Sequence, residues 1–480
     1  MSANWILIVP AAAALLCALP LRAPAGAGIT LASSLAVLAL TLGVAAQAEA
    51  GRIVVGLPGW IEADGLSALM LLVTAAVGTL AALYSWGYMA HTPARPWAVR
   101  GYYANFNLFL LSMLAVPLIV EPNVVWTAVE LTTLLSVMLV AFENTREAVE
   151  AAWKYVVLTI MGASIALLGI LVLYWAMKEA GGSEFTWAGL RAVAPQMAPG
   201  RAELAFVLIL VGFGAKVGLV PLHTWLPDAH SQAPSPVCAL LSGVETSSVL
   251  YVILRLLPIL RAVPGQRLEG WALAVGLISM AVAVFLLFRV RDYKRLFAIS
   301  TVEHMGLILA AAGLGSSAAH FGLVWQVVTH ALAKSFCFYA AGLALMATGT
   351  REISAVRGLI RTSAPAGSAL LLGGLAIAGA PPFAVFLSEF TIFRAGLAEG
   401  HYLATGLLIA LIALAFFAIM APINRMVFGM PEGDASPGHR LPRTCLAAAA
   451  LGAALVIVLG MYVPAPLHTL LRLAADVLGA

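Results

Sequence analysis

Long apolar runs dominate this chain and limit how it can fold. About 20 predominantly apolar residues are needed to cross the hydrocarbon core of a bilayer, and the chain contains about 14 such runs. Numbered as spans one to fourteen, they lie at residues 3–20, 28–46, 64–90, 102–120, 122–142, 149–177, 203–224, 235–259, 269–290, 294–314, 317–347, 366–395, 402–428 and 444–463. We therefore predict an all-α polytopic membrane protein with about 14 transmembrane helices.

Composition supports this class. Of 480 residues, 62% are hydrophobic and only 10% are charged, whereas charged residues make up about a quarter of a typical soluble domain. The runs leave no room for a soluble domain. The first run lacks the positive n-region of a cleavable signal and is predicted to be a membrane helix. The tail from Ala465 has helical spacing but is too short to span, so we expect it at the interface.

Positive charge predicts the orientation. With the N-terminus outside, the inner loops and adjoining span ends hold nearly twice as many lysines and arginines as the outer ones. The positive-inside rule therefore favours both termini outside. The net charge of +4 follows from these scattered loop arginines, and no nucleic-acid-binding patch is evident.

The cysteines give no sign of a metal centre. Cys17, Cys238, Cys337 and Cys445 are far apart, with no CxxC motif or Cys/His cluster. Zinc and iron–sulfur sites need such clusters. We expect no metal and no cofactor on this chain.

Prolines interrupt two of the spans. Pro221 lies in span seven, and Pro381 and Pro382 lie in the middle of span twelve. Proline removes a backbone donor and clashes with the preceding turn, so each helix is expected to break there. Broken helices at corresponding places in two halves are typical of transporters built from inverted repeats. A kink that serves packing alone is the alternative for either break.

The two breaks are five spans apart, which defines the predicted repeats. We assign residues 1–98 to spans one to three, 99–262 to the first repeat and 263–430 to the second repeat. Residues 431–480 form span fourteen and the amphipathic tail. An odd number of spans in each repeat makes the two repeats point in opposite directions.

Five ionisable residues lie within or beside the predicted spans. They are Glu130 in span five, Lys216 in span seven, His330 and Lys334 in span eleven, and Glu389 after the second break. Charges at this depth are costly and usually face the protein interior, water or one another. Burial disfavours a charged lysine, and a nearby carboxylate favours it. A lysine between these opposing effects can exchange a proton, although static ion pairing is the alternative for each residue.

Four segments carry a resemblance to a known family: AKVGLVPLHTWLPDAHSQAPSPVCALLSGV, KRLFAISTVEHMG, HALAKSFCFYAAG and GAPPFAVFLSEF. With the YSWGYM segment, they resemble the proton-conducting antiporter-like subunits. That family includes the large membrane subunits of respiratory complex I, the Mrp antiporters and membrane-bound hydrogenases. The VEHMG and PPFAVFLSEF segments are most similar to the hydrogenase-4 component F branch. The resemblance covers spans three to thirteen.

The resemblance implies a role for each matching residue. Glu130 and Lys216 correspond to the pair that controls proton loading, Lys334 and His330 to the central polar axis, and Glu389 to the terminal site. His223 and His230 match positions near the mouth of the broken helix, and Glu303 and His304 match a further polar site on span ten. These four are possible relay residues.

Span eight departs from the family pattern. Many members carry a lysine where this chain has Ser247, and Glu245 stands two residues earlier. Gln326 and Thr329 likewise replace residues common in span eleven. The relay between Lys216 and Lys334, with Glu245 and Ser247 as possible members, is therefore bridged by water, rewired through Glu245, or incomplete.

Three functions remain open from the sequence. The leading one is a proton-translocating subunit of a redox-driven complex of the hydrogenase-4 or NADH:quinone oxidoreductase type, which breaks no substrate bond itself. Its expected partners are other membrane subunits and peripheral metal-cluster subunits, in the cytoplasmic membrane of a bacterium or archaeon. The alternatives are a subunit of an Mrp-type Na⁺/H⁺ antiporter and a structural membrane anchor.

Overall fold

The chain folds into a bundle of helices joined mostly by short connections. The computed structural model describes residues 3–430 and 440–479, so residues 431–439 of the last predicted segment lie outside the described part. The helices up to the first break region are α1 (Trp5–Ala18), α2 (Ala23–Glu49), α3 (Gly65–His91), α4 (Pro96–Ala115), α5 (Pro122–Val140), α6 (Arg146–Glu179), α7 (Trp187–Val193), α8 (Pro199–Val217) and α9 (Trp225–Gln232).

The remaining helices complete the bundle. A 3-10 turn, Ala194–Gln196, follows α7, and a π-helical turn, Leu241–Glu245, separates α10 from α11. The helices are α10 (Ser235–Leu240), α11 (Thr246–Arg261), α12 (Leu268–Leu287), α13 (Tyr293–Leu314), α14 (Ser317–Thr348), α15 (Leu359–Thr362), α16 (Ala364–Ile377), α17 (Ala384–Ala398), α18 (Tyr402–Phe428), α19 (Arg443–Met461) and α20 (Ala465–Gly479). A short hairpin pairs β1 (Val54–Val55) with β2 (Glu62–Ala63).

Ten helices within the described residues are long and apolar enough to cross a membrane. The other predicted spans also coincide with helices, but these are shorter or less apolar: α1, α4, α8 and the pair α16 and α17. Span seven begins earlier and ends earlier than predicted, because α8 stops at Val217. The tail forms α20, whose apolar face packs against α3 and α14.

Two spans at the centre of the bundle are shielded from the surroundings. In the most apolar 18-residue stretch of Ser235–Arg261 and of Tyr293–Leu314, 100% of the residues are buried, compared with 39% in the corresponding stretches of α6 and α18. Central helices can carry polar side chains because protein, and not lipid, surrounds them. The outer helices expose large apolar side chains such as Leu171 and Phe417.

A close helix contact positions α8. Gly162 of α6 faces Gly212 of α8, and a Cβ on Gly162 would lie 2.6 Å from the Gly212 carbonyl oxygen. Small residues allow membrane helices to approach so closely. This contact holds the C-terminal half of α8, which carries Lys216, inside the bundle.

The first break lies between α8 and α9. Gly218 ends α8 in the left-handed conformation with φ 88°, and Pro221 follows in the non-helical segment. The indole Nε1 of Trp225 donates to the Ala215 carbonyl oxygen at 2.7 Å. The Val220 amide donates to Ser279 Oγ at 3.1 Å. Side chains therefore satisfy backbone groups that the missing helical turns leave free, as a membrane interior requires.

The second break lies between α16 and α17. Here Gly379 has φ 71°, and Pro381 and Pro382 lie in the six-residue interval 378–383 between the two helices. The Ile377 carbonyl oxygen at the end of α16 accepts a hydrogen bond of 3.1 Å from His304 Nε2. Both breaks thus occur at the prolines and lie beside buried ionisable residues.

Candidate functional site

The first polar centre surrounds Lys216, in the last turn of α8. Its Nζ donates to the Val129 carbonyl oxygen and to Thr133 Oγ1 of α5. The nearest carboxylate is Glu245 of the π-helical turn, with 3.8 Å between Nζ and Oε1. Lys216 is 2% exposed and Glu245 is 1% exposed. The two residues form an ion pair in the interior of the bundle.

Glu130 is the carboxylate that the resemblance pairs with Lys216, but the structure places it differently. It is half-buried on α5, and no ion pair within 4.0 Å joins it to a described residue. Its Oε1 has no hydrogen-bond partner among the described residues. The direct partner of Lys216 is therefore Glu245, and Glu130 lies beside the pair.

Hydroxyl groups hold the Glu245 carboxylate in place. Oε1 accepts hydrogen bonds from Thr132 Oγ1 at 2.9 Å and from Tyr155 OH at 2.8 Å. Tyr155 OH also lies 2.7 Å from Ser136 Oγ. Oε2 has no partner among the described residues. One carboxylate oxygen is thus anchored and the other is free to take a proton.

The second polar centre surrounds Lys334 on α14. Its Nζ donates to the Phe297 carbonyl oxygen at 2.7 Å and to Ser300 Oγ, both on α13. Lys334 is fully buried. The Phe297 oxygen also accepts a bond of 3.3 Å from Thr301 Oγ1. Lys334 and Thr301 therefore share one acceptor.

The π-helical turn links the two centres. Ser242 Oγ lies 2.6 Å from Thr301 Oγ1, which places Ser242 beside the Lys334 centre. Glu245, at the other end of the turn, contacts Lys216. The Ser242 carbonyl oxygen accepts a hydrogen bond of 3.1 Å from His330 Nε2. A π-helical turn frees backbone carbonyls that an α-helix would use internally, and such turns are frequent at functional sites.

Two histidines continue the polar residues toward the second break. The rings of His330 and His304 are 5.1 Å apart between centroids. His304 Nδ1 accepts from Gln326 Nε2 at 2.9 Å, so neutral His304 carries its proton on Nε2. Glu303 Oε2 lies 3.4 Å from that nitrogen.

Glu389 closes this row of residues beside the second break. Its carboxylate lies against the Cα of Gly379. The preceding residue, Ser388, donates to Gln326 Oε1 and lies 2.8 Å from Thr329 Oγ1. Gln326 therefore connects His304 with the first turns of α17. The span-eleven substitutions seen in the sequence thus take part in this network.

Ser247 stands apart from both centres. Its Oγ donates only to the Gly243 carbonyl oxygen, at 3.3 Å. It lines a small pocket with Leu66, Leu254 and Val327. The position that often carries a lysine is therefore in apolar surroundings here, and the hydrogen-bonded groups pass through Ser242.

His223 and His230 lie at the first break, as their place in the sequence indicates. His230 Nδ1 bonds to the Leu226 carbonyl oxygen at 2.7 Å, and its Nε2 has no partner among the described residues. Nearby Asp228 binds Lys154 at 3.2 Å and also pairs with Arg295. These charged side chains are partly exposed, so the polar residues at the first break reach the surface of the bundle here.

Sequence reasoning missed the residues that join the charged groups. These are the hydroxyl residues Thr132, Thr133, Tyr155, Ser242, Ser300 and Thr301. The available signal was the presence of serine and threonine in spans five, eight and ten. Such residues commonly bond to their own backbone, so their side-chain partners become evident only from the packing.

A multi-pass membrane bundle with two broken helices and buried Lys, Glu and His residues defines a class of ion-translocating membrane subunits. The family model "NADH:quinone oxidoreductase/Mrp antiporter, TM" matches residues 123–416, more than half of the chain. A second model, "NADH-Ubiquinone oxidoreductase (complex I), chain 5 N-terminus", matches residues 58–96. The chain belongs to the NADH:quinone oxidoreductase/Mrp antiporter family of membrane subunits.

Known relatives agree with this assignment. The chain is 36% identical over 382 residues to a hydrogenase-4 component F homolog of Methylacidiphilum infernorum, covering 78% of this chain and 80% of that protein. It is similar to a chain of the archaeal membrane-bound sulfane sulfur reductase, with TM-score 0.88, 26% identity and coverage of 99% and 97%. A chain of the Mrp complex from Dietzia sp. DQ12-45-1b shares the fold, with TM-score 0.89, 20% identity and coverage of 99% and 96%.

Proposed function

We propose that this chain translocates protons as a membrane subunit of a redox-driven complex of the hydrogenase-4 or complex I-like type. The observation that supports this most is the π-helical turn Leu241–Glu245. It carries Glu245 against Lys216 at one end and Ser242 against the Lys334 centre at the other. The turn thereby connects two buried protonatable lysines.

The path begins at Glu130 and the pair of Lys216 and Glu245. A change of charge or position at Glu130, driven by a neighbouring subunit, alters the balance between the lysine and the carboxylate. The proton is then released toward the π-helical turn. Burial makes each charge sensitive to its neighbours, because the low dielectric strengthens their interaction.

From the turn, the proton passes by way of Ser242, Thr301 and intervening water to Lys334. His330, His304 and Glu303 carry it onward, and Glu389 at the second break delivers it to the far side. Hydroxyl groups donate and accept, so they can relay a proton without holding a charge. In this chain the proton takes this route instead of passing through the lysine that many family members carry at the position of Ser247.

The proposal includes the finer architecture expected from the sequence. It has fourteen spans, with residues 99–262 and 263–430 as inverted repeats and both termini outside. The two breaks, each beside a buried ionisable residue, support this arrangement. Single cysteines introduced at the exposed positions Ala262 and Ala355 and treated with a membrane-impermeant reagent test the orientation. Labelling of Ala262→Cys only from outside and of Ala355→Cys only from inside is expected.

The leading function is tested on the chain purified together with the other subunits of its complex. The assembled complex in proteoliposomes is expected to acidify the lumen when its electron donor is added, and Lys216→Ala is expected to abolish this while subunits still assemble. Normal pumping by an assembled Lys216→Ala complex would show that proton transfer does not depend on Lys216.

An Mrp-type Na⁺/H⁺ antiporter subunit is the second candidate, and the shared fold with the Mrp complex supports it. A sodium gradient applied without any electron donor would then drive proton movement. A structural anchor is the third candidate, and the apolar surroundings of Ser247 support it. An anchor would tolerate Lys216→Ala and Lys334→Ala together without loss of pumping.

A further inference from the structure

Three arginines without protein partners surround one groove between the ends of α1, α3 and α4. Arg22 and Arg100 line the groove, and Arg95, between the lining residues Ala94 and Pro96, faces the adjoining pocket that also contains Glu143. None of the three side chains forms a hydrogen bond or ion pair with another described residue. Their charges are therefore available to a ligand.

The groove itself has a volume of about 610 Å³ and no acidic side chain among its described lining residues. Its remaining surface is largely apolar, including Leu21, Met89 and Val99. A positive groove with apolar walls suits a molecule that carries both an anionic and an apolar part.

Two helices begin at this groove, and their N-termini add to its positive potential. Arg22 is the N-cap of α2 and Arg95 is the N-cap of α4. Neither terminus has a side-chain cap, and both helices have 20 residues or more. A proline in the first turn of each helix removes one amide donor, so the contribution of these N-termini is mainly the positive end of the helix dipole, which favours anions.

The position of the groove indicates the source of the anion. It lies at the polar ends of membrane-spanning helices, on the side that the positive-inside rule predicts to be cytoplasmic. Trp97, in the first turn of α4, is 62% exposed, and tryptophan is typical of the headgroup level. Leu15 and Leu16 in the last turns of α1 and Leu19 at its C-cap are exposed apolar side chains that acyl chains can cover.

We propose that this groove binds the phosphate headgroup of an anionic phospholipid, with Arg22, Arg95 and Arg100 as its charged contacts. Basic pockets between helix ends on the cytoplasmic side are suited to such headgroups. The site is separate from the buried Lys and Glu residues. The lipid proposal is therefore independent of the proposed proton path, and the two can fail separately.

The test compares purified full-length variants in nanodiscs of phosphatidylcholine with and without cardiolipin. The site variant combines Arg22→Gln, Arg95→Gln and Arg100→Gln. The control combines Arg289→Gln, Arg291→Gln and Arg361→Gln, which removes the same charge from exposed arginines elsewhere on the same predicted face. Bound phospholipid is counted by native mass spectrometry after transfer to detergent, and affinity is measured by titration.

The unmodified chain and the control are expected to retain cardiolipin in preference to phosphatidylcholine. The site variant is expected to lose about 100-fold in affinity, because one arginine at an anionic surface is worth roughly fivefold. The single variant Arg22→Gln, which removes no protein contact, is expected to lose about fivefold and keeps the test valid if the triple variant is unstable.

Several outcomes would overturn the proposal. If the site variant retains as much cardiolipin as the unmodified chain, the groove is not the binding site. If the control variant loses as much cardiolipin as the site variant, the binding depends on net charge and not on this groove. Displacement of cardiolipin by millimolar inorganic phosphate would make this a site for the free anion. Loss of partner subunits from the site variant, with lipid retained, would assign the groove to an acidic segment of a partner.

Discussion

Lys216 and Glu245 form a buried ion pair between α8 and the π-helical turn, with 3.8 Å between Nζ and Oε1. The pair has no solvent to screen it, so the charge of each residue depends on the other. Glu245 is also anchored by Thr132 and Tyr155, whereas Lys216 is held by backbone and hydroxyl oxygens of α5. A proton that leaves Lys216 therefore changes the environment of Glu245 directly.

The first prediction concerns the charge of Glu245. Glu245→Gln is expected to lower the proton-pumping rate of the assembled complex by about tenfold or more, because it removes the carboxylate that balances Lys216. The rate is measured in proteoliposomes by quenching of a pH-sensitive dye. Glu147→Gln, at an exposed position in the first turn of α6, is the matched control and is expected to pump normally.

A double variant separates conduction from folding. Glu245→Gln alone leaves a buried lysine without its partner, which costs about 3–5 kcal/mol when a buried pair is broken. Combining it with Lys216→Met removes both charges, so the double variant is expected to be more thermostable than Glu245→Gln while remaining inactive. Pumping at the normal rate by a well-assembled Glu245→Gln complex would contradict the role of the pair.

The second prediction tests the route through the π-helical turn. Ser242→Ala and Thr301→Val each remove a hydroxyl from the contact of 2.6 Å, and each is expected to slow pumping several-fold. Ser247→Ala removes a hydroxyl of similar size on the same span, but that group points to a backbone carbonyl in apolar surroundings. Ser247→Ala is therefore expected to leave the rate unchanged. Slower pumping by Ser247→Ala, with normal pumping by Ser242→Ala and Thr301→Val, would place the relay at Ser247 instead.

Local sequence signals predicted much of this fold but little of the pairing within it. The helices follow from apolar runs, and the breaks follow from Pro221 and from Pro381 and Pro382, because these effects act within a few residues. The partner of Lys216 depends instead on how α5, α8 and the π-helical turn pack together. The family resemblance predicts Glu130 as the partner of Lys216, whereas Glu245 stands out in the sequence only beside the position where span eight departs from the family pattern.

The π-helical turn could not be predicted from the residues that form it. Leu241–Glu245 has the sequence LSGVE, with no proline and no distinctive spacing. Its geometry depends on packing against α14, where Gly243 approaches the Ala331 carbonyl oxygen. A Cβ at Gly243 would lie 2.8 Å from that oxygen. Contacts between residues so far apart in the chain leave no trace in local patterns.

The third prediction concerns the backbone at the second break. Gly379 has φ 71°, and a side chain there would collide with the Glu389 carboxylate. Gly379→Ala is expected to destabilise the protein by about 1–3 kcal/mol from backbone strain and to displace Glu389, so pumping falls as well. Gly373→Ala is the control, because its Cβ would make ordinary contacts of 3.5 Å or more within α16. Equal thermal stability of the two variants, measured in the same detergent, would contradict this account.

The last prediction concerns Asp64, which precedes the first residue of the membrane-spanning helix α3, caps that helix and accepts a bond of 2.7 Å from Arg255 of α11. Burial by itself raises the pKa of Asp64, but the charge of Arg255 and hydrogen bonds from Arg255 and Ser67 outweigh it and hold the pKa of Asp64 below its ordinary value of 3.8. A carboxyl whose folded pKa is lowered stabilises the protein above its ordinary pKa, and that contribution disappears as the pH falls through the folded value.

Asp64→Asn is therefore expected to lower stability at pH 7 by about 3 kcal/mol, because it leaves Arg255 without its partner. The difference from the unmodified protein should begin to narrow as the pH falls below 3.8, the ordinary pKa, and should disappear below the lowered pKa of folded Asp64, where Asp64 itself becomes protonated. Thermal unfolding in detergent at pH 7 and at successively lower pH measures this. Asp476→Asn, at an exposed position on α20, provides the control and should show no such convergence. A stability gap that is independent of pH would mean that Asp64 acts through its shape as a helix cap and not through its charge.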